Sequence, residues 1–135
     1  MDIEVYVDGS VKKASQSDSR GKGAYRFVVI NRMMLLAEQV KKEDNQTVPE
    51  TEMKALVEGL TWMDNSGLTK DHDVIVKCDS ELVVKWMSGE YKMRAENILP
   101  LYLNAKNLID KLERKGFVVR IEKIRGKENL AHVEA

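Results

Sequence analysis

The hydrophobic residues of this chain change period once, and that change limits the folds open to it. Residues 3–8 alternate, with Ile3, Val5 and Val7 on one side and Glu4, Tyr6 and Asp8 on the other, the period-two pattern of a strand with one buried face. After the polar stretch Lys12 to Lys22, read as a loop, Tyr25 to Ile30 and Met33 to Val40 resume β-rich sequence. The short polar break at Asn31-Arg32 predicts a hairpin between them. Beyond Lys41 to Gln46, read as a second polar loop, Met53, Leu56, Val57, Leu60 and Met63 recur at three- and four-residue steps, as on one helix face. Thr47 and Pro49 supply start signals for that helix and Gly67 a stop. Strands and helices then alternate. Val74 to Cys78 is a short apolar run suited to a central strand, Ser80 to Met87 a short helix ended by Gly89, and Asn97 to Lys115 a longer helix with Pro100 in its first turn. Val118 to Ile124 reads as a last strand, and Leu130 to Ala135 as the first turn of a further helix. The order β-β-β-α-β-α-α-β predicts an α/β fold, a mixed sheet flanked by helices.

Nothing in the 135 residues marks a boundary: there is no repeat, low-complexity stretch or linker, and two prolines are too few to define one. A single domain over residues 1–135 is expected. Cys78, the one cysteine, has no partner for an internal bridge. No apolar run approaches the roughly 20 residues that span a bilayer, and Met1-Asp2-Ile3-Glu4 is no signal peptide, so a cytoplasmic, monomeric protein with no membrane association is expected. The 22 Lys and Arg cancel the 22 Asp and Glu, but unevenly. Between Pro100 and Lys127 eight cations face three acids, whereas between Glu43 and Glu58 five acids face Lys54 alone. A neutral total therefore does not exclude a phosphate-bearing partner; it predicts modest, salt-sensitive binding.

Two strands end in aspartate, Asp8 and Asp79, and Glu52 lies early on the helix between them. In mixed sheets ligands gather at the carboxyl ends of strands near a switch in strand order. Three carboxylates there are the minimum for an oxygen-donor site, the set preferred by hard divalent cations. Each residue also has an ordinary reading: Asp79-Ser80 suits a helix cap, and Glu52 suits the helix dipole.

Taken together, Val5-Tyr6-Val7-Asp8-Gly9-Ser10, Glu52-Met53-Lys54-Ala55-Leu56 and Cys78-Asp79-Ser80-Glu81-Leu82-Val83-Val84 resemble type 1 ribonuclease H. Gly89-Glu90-Tyr91-Lys92 and the final Arg125 to Ala135 segment extend the likeness over the whole chain. The resemblance implies a five-stranded mixed sheet and hydrolysis of the RNA strand of an RNA/DNA hybrid with two Mg²⁺ ions, Mn²⁺ being a possible substitute. Two dications about 4 Å apart repel, and a bridging carboxylate with flanking ones offsets this. By the resemblance Asp8 is that bridge, Glu52 and Asp79 flank it, and His132 takes the fourth position, where the family usually has Asp after Ala131. Imidazole there removes a negative charge and suits Mn²⁺ better than Mg²⁺; otherwise His132 is a cap or surface residue, with Glu128 and Glu134 the nearest substitute carboxylates. Backbone groups at Gly9 and Ser10 would read RNA 2′-hydroxyls, Thr47 a DNA-strand phosphate, and Arg125 and Lys127 further phosphates.

Other departures temper this reading. Val48 and Pro49 replace polar residues that contact nucleic acid in the family. Only Met87 to Lys92 occupies the place of a basic protrusion, as in the shorter archaeal and bacterial members. Trp62, Trp86 and the methionines read as core, and His72 as a solvated loop residue. The alternatives are a catalytically impaired module of the same fold that binds nucleic acid or protein, and a transposase- or resolvase-type nuclease.

Overall fold

In the computed structural model, which describes residues 2–68 and 72–135, three strands come first: β1 (Asp2–Lys12), β2 (Gly21–Asn31) and β3 (Met34–Gln46). Helix α1 (Val48–Asn65), strand β4 (Asp73–Cys78), helices α2 (Glu81–Ser88) and α3 (Leu99–Arg114) and strand β5 (Val118–Lys123) follow, then a single 3₁₀ turn, Gly126–Glu128. The five strands form one mixed sheet in the order β3-β2-β1-β4-β5. β1 runs antiparallel to β2 and parallel to β4, and β4 runs parallel to β5. This is the α/β architecture read from the change of period.

The alternation in β1 sets which face is covered. Ile3, Val5 and Val7 are at most 1% exposed and pack with Met53, Leu56, Leu60 and Met63, the apolar stripe of α1. Burying a side chain of this size contributes about 1.5–3 kcal/mol, so the stripe fixes α1 across β1 and β2. Thr47 caps α1 in a reciprocal capping box: its hydroxyl accepts from the Glu50 N–H, and the Glu50 carboxylate accepts from the Thr47 N–H. Trp86 is buried as expected and Trp62 is partly buried.

Five expectations change. Residues 41–46 are not a loop; they extend β3 along β2, because backbone pairing to a neighbour strand outweighs their polar side chains, which lie at the sheet edge where charge is favoured. Likewise the first loop shrinks, with β1 continuing to Lys12 and β2 opening at Gly21. Met33 and Met34 are not core. Arg32 and Met33 form the two-residue hairpin tip, both with positive φ, and Met33 is 95% exposed. Residues 130–135 do not begin a helix, for a reason that lies in the site below. His72, expected to be solvated, is partly buried and engaged; Lys70 and Asp71 of its loop, like Met1, lie outside the described residues.

Candidate metal centre

The last register pair of β1 with β4 is Val7 with Cys78, so the next residues, Asp8 and Asp79, lie side by side; Asp79 follows the end of β4, whereas Asp8, expected at a strand end, sits within β1, which pairing to β2 carries on to Lys12. This is the point where the chain, after building β2 and β3 on one flank of β1, crosses to the other. Glu52 joins from the second turn of α1. One carboxylate oxygen from each of the three lies within 4.8 Å of the others.

A glycine permits this approach. A Cβ on Gly9 would stand 2.4 Å from Thr51 Oγ1 and 2.6 Å from the Glu52 nitrogen, so only glycine lets β1 lie this close to the start of α1. Thr51 is fully buried there and donates its hydroxyl to Val48 O at 2.7 Å.

Bringing the carboxylates together has an electrostatic cost. Burial pushes Asp8 up to about 6, assisted by the Asp79 charge and opposed by hydrogen bonds from the Val133 and Gly9 backbone. Glu52 is pushed up to about 7, again chiefly by burial, with the Asp79 and Asp8 charges adding and a hydrogen bond from Ser80 opposing. Ser80 also caps α2, accepting from the Val83 N–H at 3.2 Å, so one hydroxyl ties that helix to the site. Buried Cys78 has its thiol raised to about 12 by the same desolvation, which leaves it an inert neighbour rather than a nucleophile. The acids nearby on α1 and β3 are neutralised: Glu50 by Arg20, Glu58 by Lys41 and Glu43 by Lys54. The acidic stretch read from residues 43–58 is thus largely ion-paired, while Glu52 is held for the cluster.

The C-terminal segment closes the site and explains the missing helical turn. Asn129, 5% exposed, donates to Val7 O at 2.8 Å and to Asp79 Oδ2 at 3.2 Å while accepting from the Ala131 N–H at 3.0 Å. The Val133 N–H donates to Asp8 Oδ2 at 3.0 Å. Backbone donors used this way hold residues 129–133 across the strand ends, where helical winding would withdraw them. Asn129 is the site residue that sequence reading missed. A polar residue in Lys-Glu-Asn-Leu has no periodicity to mark it as buried.

A cavity of about 600 Å³ opens over the cluster, lined by Asp8, Gly9, Ser10, Asp79, Lys127 and His132 among others. His132 stands beside the three-carboxylate cluster rather than in it: its side chain is 67% exposed, with Nδ1 3.7 Å from Asp8 Oδ2 and Nε2 3.7 Å from Glu134 Oε1. Glu128 is paired with Arg125 at 3.1 Å and does not substitute for a fourth carboxylate. Of the residues expected to meet substrate, Gly9, Ser10 and Lys127 line this cavity; Thr47 and Arg125 do not.

The donor set fits a hard divalent cation. Three carboxylate oxygens spread over 4.8 Å compare with the roughly 4 Å across an octahedral Mg²⁺ shell, and two of the carboxyls are destabilised as anions until a positive charge arrives.

Comparison with known proteins places this geometry. The profile of the family described as reverse transcriptase-like matches residues 7–121, which includes all three carboxylates. The chain belongs to this reverse transcriptase-like, ribonuclease HI-like family. The N-terminal ribonuclease H domain of a Mycobacterium tuberculosis protein superposes with a TM-score of 0.81 at 25% identity, over 95% of this chain and 85% of that one. The ribonuclease H1 of the halophilic archaeon Halobacterium salinarum gives 0.78 at 21% identity, over 97% and 91%. LC11-RNase H1, whose structure was solved in complex with an RNA/DNA hybrid, gives 0.80 at 21% identity, over 95% and 88%. Among the described residues, no helix is long and apolar enough to cross a membrane.

Proposed function

We propose that this protein is a metal-dependent endoribonuclease that hydrolyses the RNA strand of RNA/DNA hybrids, leaving 5′-phosphate and 3′-hydroxyl ends. The observation that carries the proposal is the convergence of Asp8, Glu52 and Asp79 on one point at the switch in strand order. The LC11 relative bound to a hybrid supports the substrate class. Asp8, Glu52 and Asp79 would hold two Mg²⁺ ions, or Mn²⁺, with His132 able to swing in as a fourth, neutral ligand. Bound there, divalent ions would acidify the attacking water and neutralise charge on the leaving oxygen.

The remaining work falls to the chain itself. Asn129 and the Val133 N–H hold Asp79 and Asp8 in place, and Ser80 holds Glu52. Lys127 sets a cation on the cavity rim where a phosphate would enter. Ser10 lines the same cavity as Asp8, and backbone groups there and at Gly9 would meet the RNA 2′-hydroxyl that DNA lacks.

The test is cleavage of a labelled hybrid, with RNA and DNA duplexes as controls, in Mg²⁺ and in Mn²⁺. Wild type should cut the hybrid selectively, and Asp79→Asn should lose roughly 10²–10³-fold or more in rate. Absence of hybrid-specific cleavage in either metal sinks the proposal and favours the second reading, a binding module whose catalysis is impaired by the imidazole at His132.

A further inference from the structure

Arg26 is the only charged residue between Gly23 and Ile30, in the middle of the apolar strand β2, and it takes no part in the chemistry above. Its register partner on β1 is Asp8, so the two side chains share one face of the sheet. Among the described residues no ion pair joins them. The guanidinium turns instead to Glu38, with Nη2 2.9 Å from Glu38 Oε2, while Nη1 donates to the His132 carbonyl oxygen at 3.3 Å. Glu38 lies two residues before Val40, the partner of Arg26 on β3, and so sits on the diagonal of the same face.

The peptide that receives Arg26 is the one that holds Asp8. Its carbonyl belongs to His132 and its amide to Val133, and that amide donates to Asp8 Oδ2 at 3.0 Å. A single peptide group therefore stands between two cross-strand neighbours, with a cation at its oxygen and a carboxylate at its hydrogen. Each end polarises the peptide in the direction that strengthens the hydrogen bond at the other. A direct pair with Arg26 would engage the Asp8 carboxylate with a guanidinium; the intervening peptide keeps Asp8 in the lining of the cavity, and Glu38 neutralises Arg26 from behind. The same grip governs residue 132. Residues 130–135 have no helical winding to place them: the His132 N–H donates to Asn129 O at 3.1 Å, and Arg26 and Asp8 fix the next peptide. The imidazole projects from the residue whose carbonyl Arg26 holds, with Nδ1 3.7 Å from Asp8 Oδ2.

We propose that Arg26 is a positioning residue of the metal centre: backed by Glu38, it holds the His132–Val133 peptide so that the amide orients Asp8 and the imidazole stays at the cavity. The proposal rests on the reading of Asp8, Glu52 and Asp79 as that centre. Charge alone argues the other way. Taking a cation from beside a carboxylate that binds a dication removes a repulsion and tightens metal binding. Loss of positioning weakens it, as removal of the partners that orient metal ligands does by roughly 10–100-fold. Arg26→Met keeps the apolar stem and discards the donors, so the sign of its effect decides between the two.

The test is Mn²⁺ binding to the protein alone, without nucleic acid, followed by the electron paramagnetic resonance of the free ion. Arg26→Met should raise the dissociation constant roughly 10-fold. Its melting temperature in chelator should change little, because the ion pair with Glu38 is partly exposed. Arg26→Lys, which keeps the charge and a donor for the carbonyl, should recover most of the affinity. Val133→Pro removes the amide that meets Asp8, and in the double variant the two losses should be less than additive, since Arg26 acts through that amide. Exchange of the Val133 amide hydrogen, read by nuclear magnetic resonance, should accelerate in Arg26→Met while amides of α1 and β4 keep their protection. Unchanged or tighter Mn²⁺ binding in Arg26→Met, fully additive losses, or a Val133 amide that exchanges no faster overturns the proposal. The two readings fail separately. Mn²⁺ affinity that falls in Arg26→Met without hybrid cleavage in either metal sinks the nuclease and keeps this role, whereas hybrid cleavage with Mn²⁺ affinity untouched by Arg26→Met sinks this role alone.

Discussion

In the metal-free protein, replacing Glu52 by glutamine should raise stability at alkaline pH, although Glu52 is central to the proposed activity. Glu52 is displaced from 4.5 to about 7, chiefly because burial disfavours its anion. The unfolded chain releases this proton near 4.5, whereas the native state keeps it until about 7. Between those values the native state binds more protons, so stability falls as pH rises, and the full deficit is present above pH 7. At 1.36 kcal/mol per pK unit the deficit is about 3 kcal/mol, and partial solvent access to Glu52 reduces it to about 2–3. An unfolding entropy of roughly 2.1 cal/mol/K per residue converts this into a melting temperature higher by about 7–10 °C for Glu52→Gln at pH 8.5. The glutamine keeps an oxygen for the Ser80 hydroxyl, so the comparison isolates the charge. The assay is thermal unfolding by far-ultraviolet circular dichroism in chelator at pH 4, 6 and 8.5. The two proteins should coincide at pH 4 and diverge with rising pH. Saturating Mg²⁺ or Mn²⁺ should then reverse the order, because at a thousand times its dissociation constant a ligand stabilises the wild type by about 4.1 kcal/mol. A Glu52→Gln protein that melts below wild type at pH 8.5 in chelator would refute the electrostatic reasoning.

Other perturbations probe separate parts of the site. His132→Asp should increase the Mg²⁺-supported hybrid cleavage rate relative to the Mn²⁺-supported rate, because it adds the charge that imidazole lacks; an unchanged ratio removes His132 from the centre. Gly9→Ala should cost about 1–3 kcal/mol in chemical denaturation and lower cleavage further, as the added carbon meets Thr51 and pushes α1 from β1. Asn129→Ala leaves Val7 O without its side-chain donor and frees Asp79, so it should cost about 1–3 kcal/mol and weaken metal-dependent stabilisation, read by melting with and without Mn²⁺. Wild-type cleavage should rise between pH 6 and 8, since Asp8 and Glu52, displaced to about 6 and about 7, must lose their protons before they hold a cation; a flat profile over that interval counts against their role as ligands.

The parts of this protein that sequence determines are those with a local physical cause. Alternation at Ile3, Val5 and Val7, the helical stripe from Met53 to Met63 and the Thr47 cap each follow from residues close in the chain. The element order follows from them, and an acidic residue succeeds each apolar run at Asp8 and Asp79, although only Asp79 ends its strand, because β2 keeps β1 paired as far as Lys12. Tertiary structure decided the rest, because those features depend on pairing between distant segments. Residues 41–46 become strand only because β2 offers them a ladder. Asn129 is buried only because Val7 O and Asp79, 122 and 50 residues earlier in the chain, await its amide, a partnership no local pattern encodes. The displaced acidities of Asp8 and Glu52 have the same origin. Burial and strand register bring like charges together, and a linear sequence records the charges without recording their neighbours.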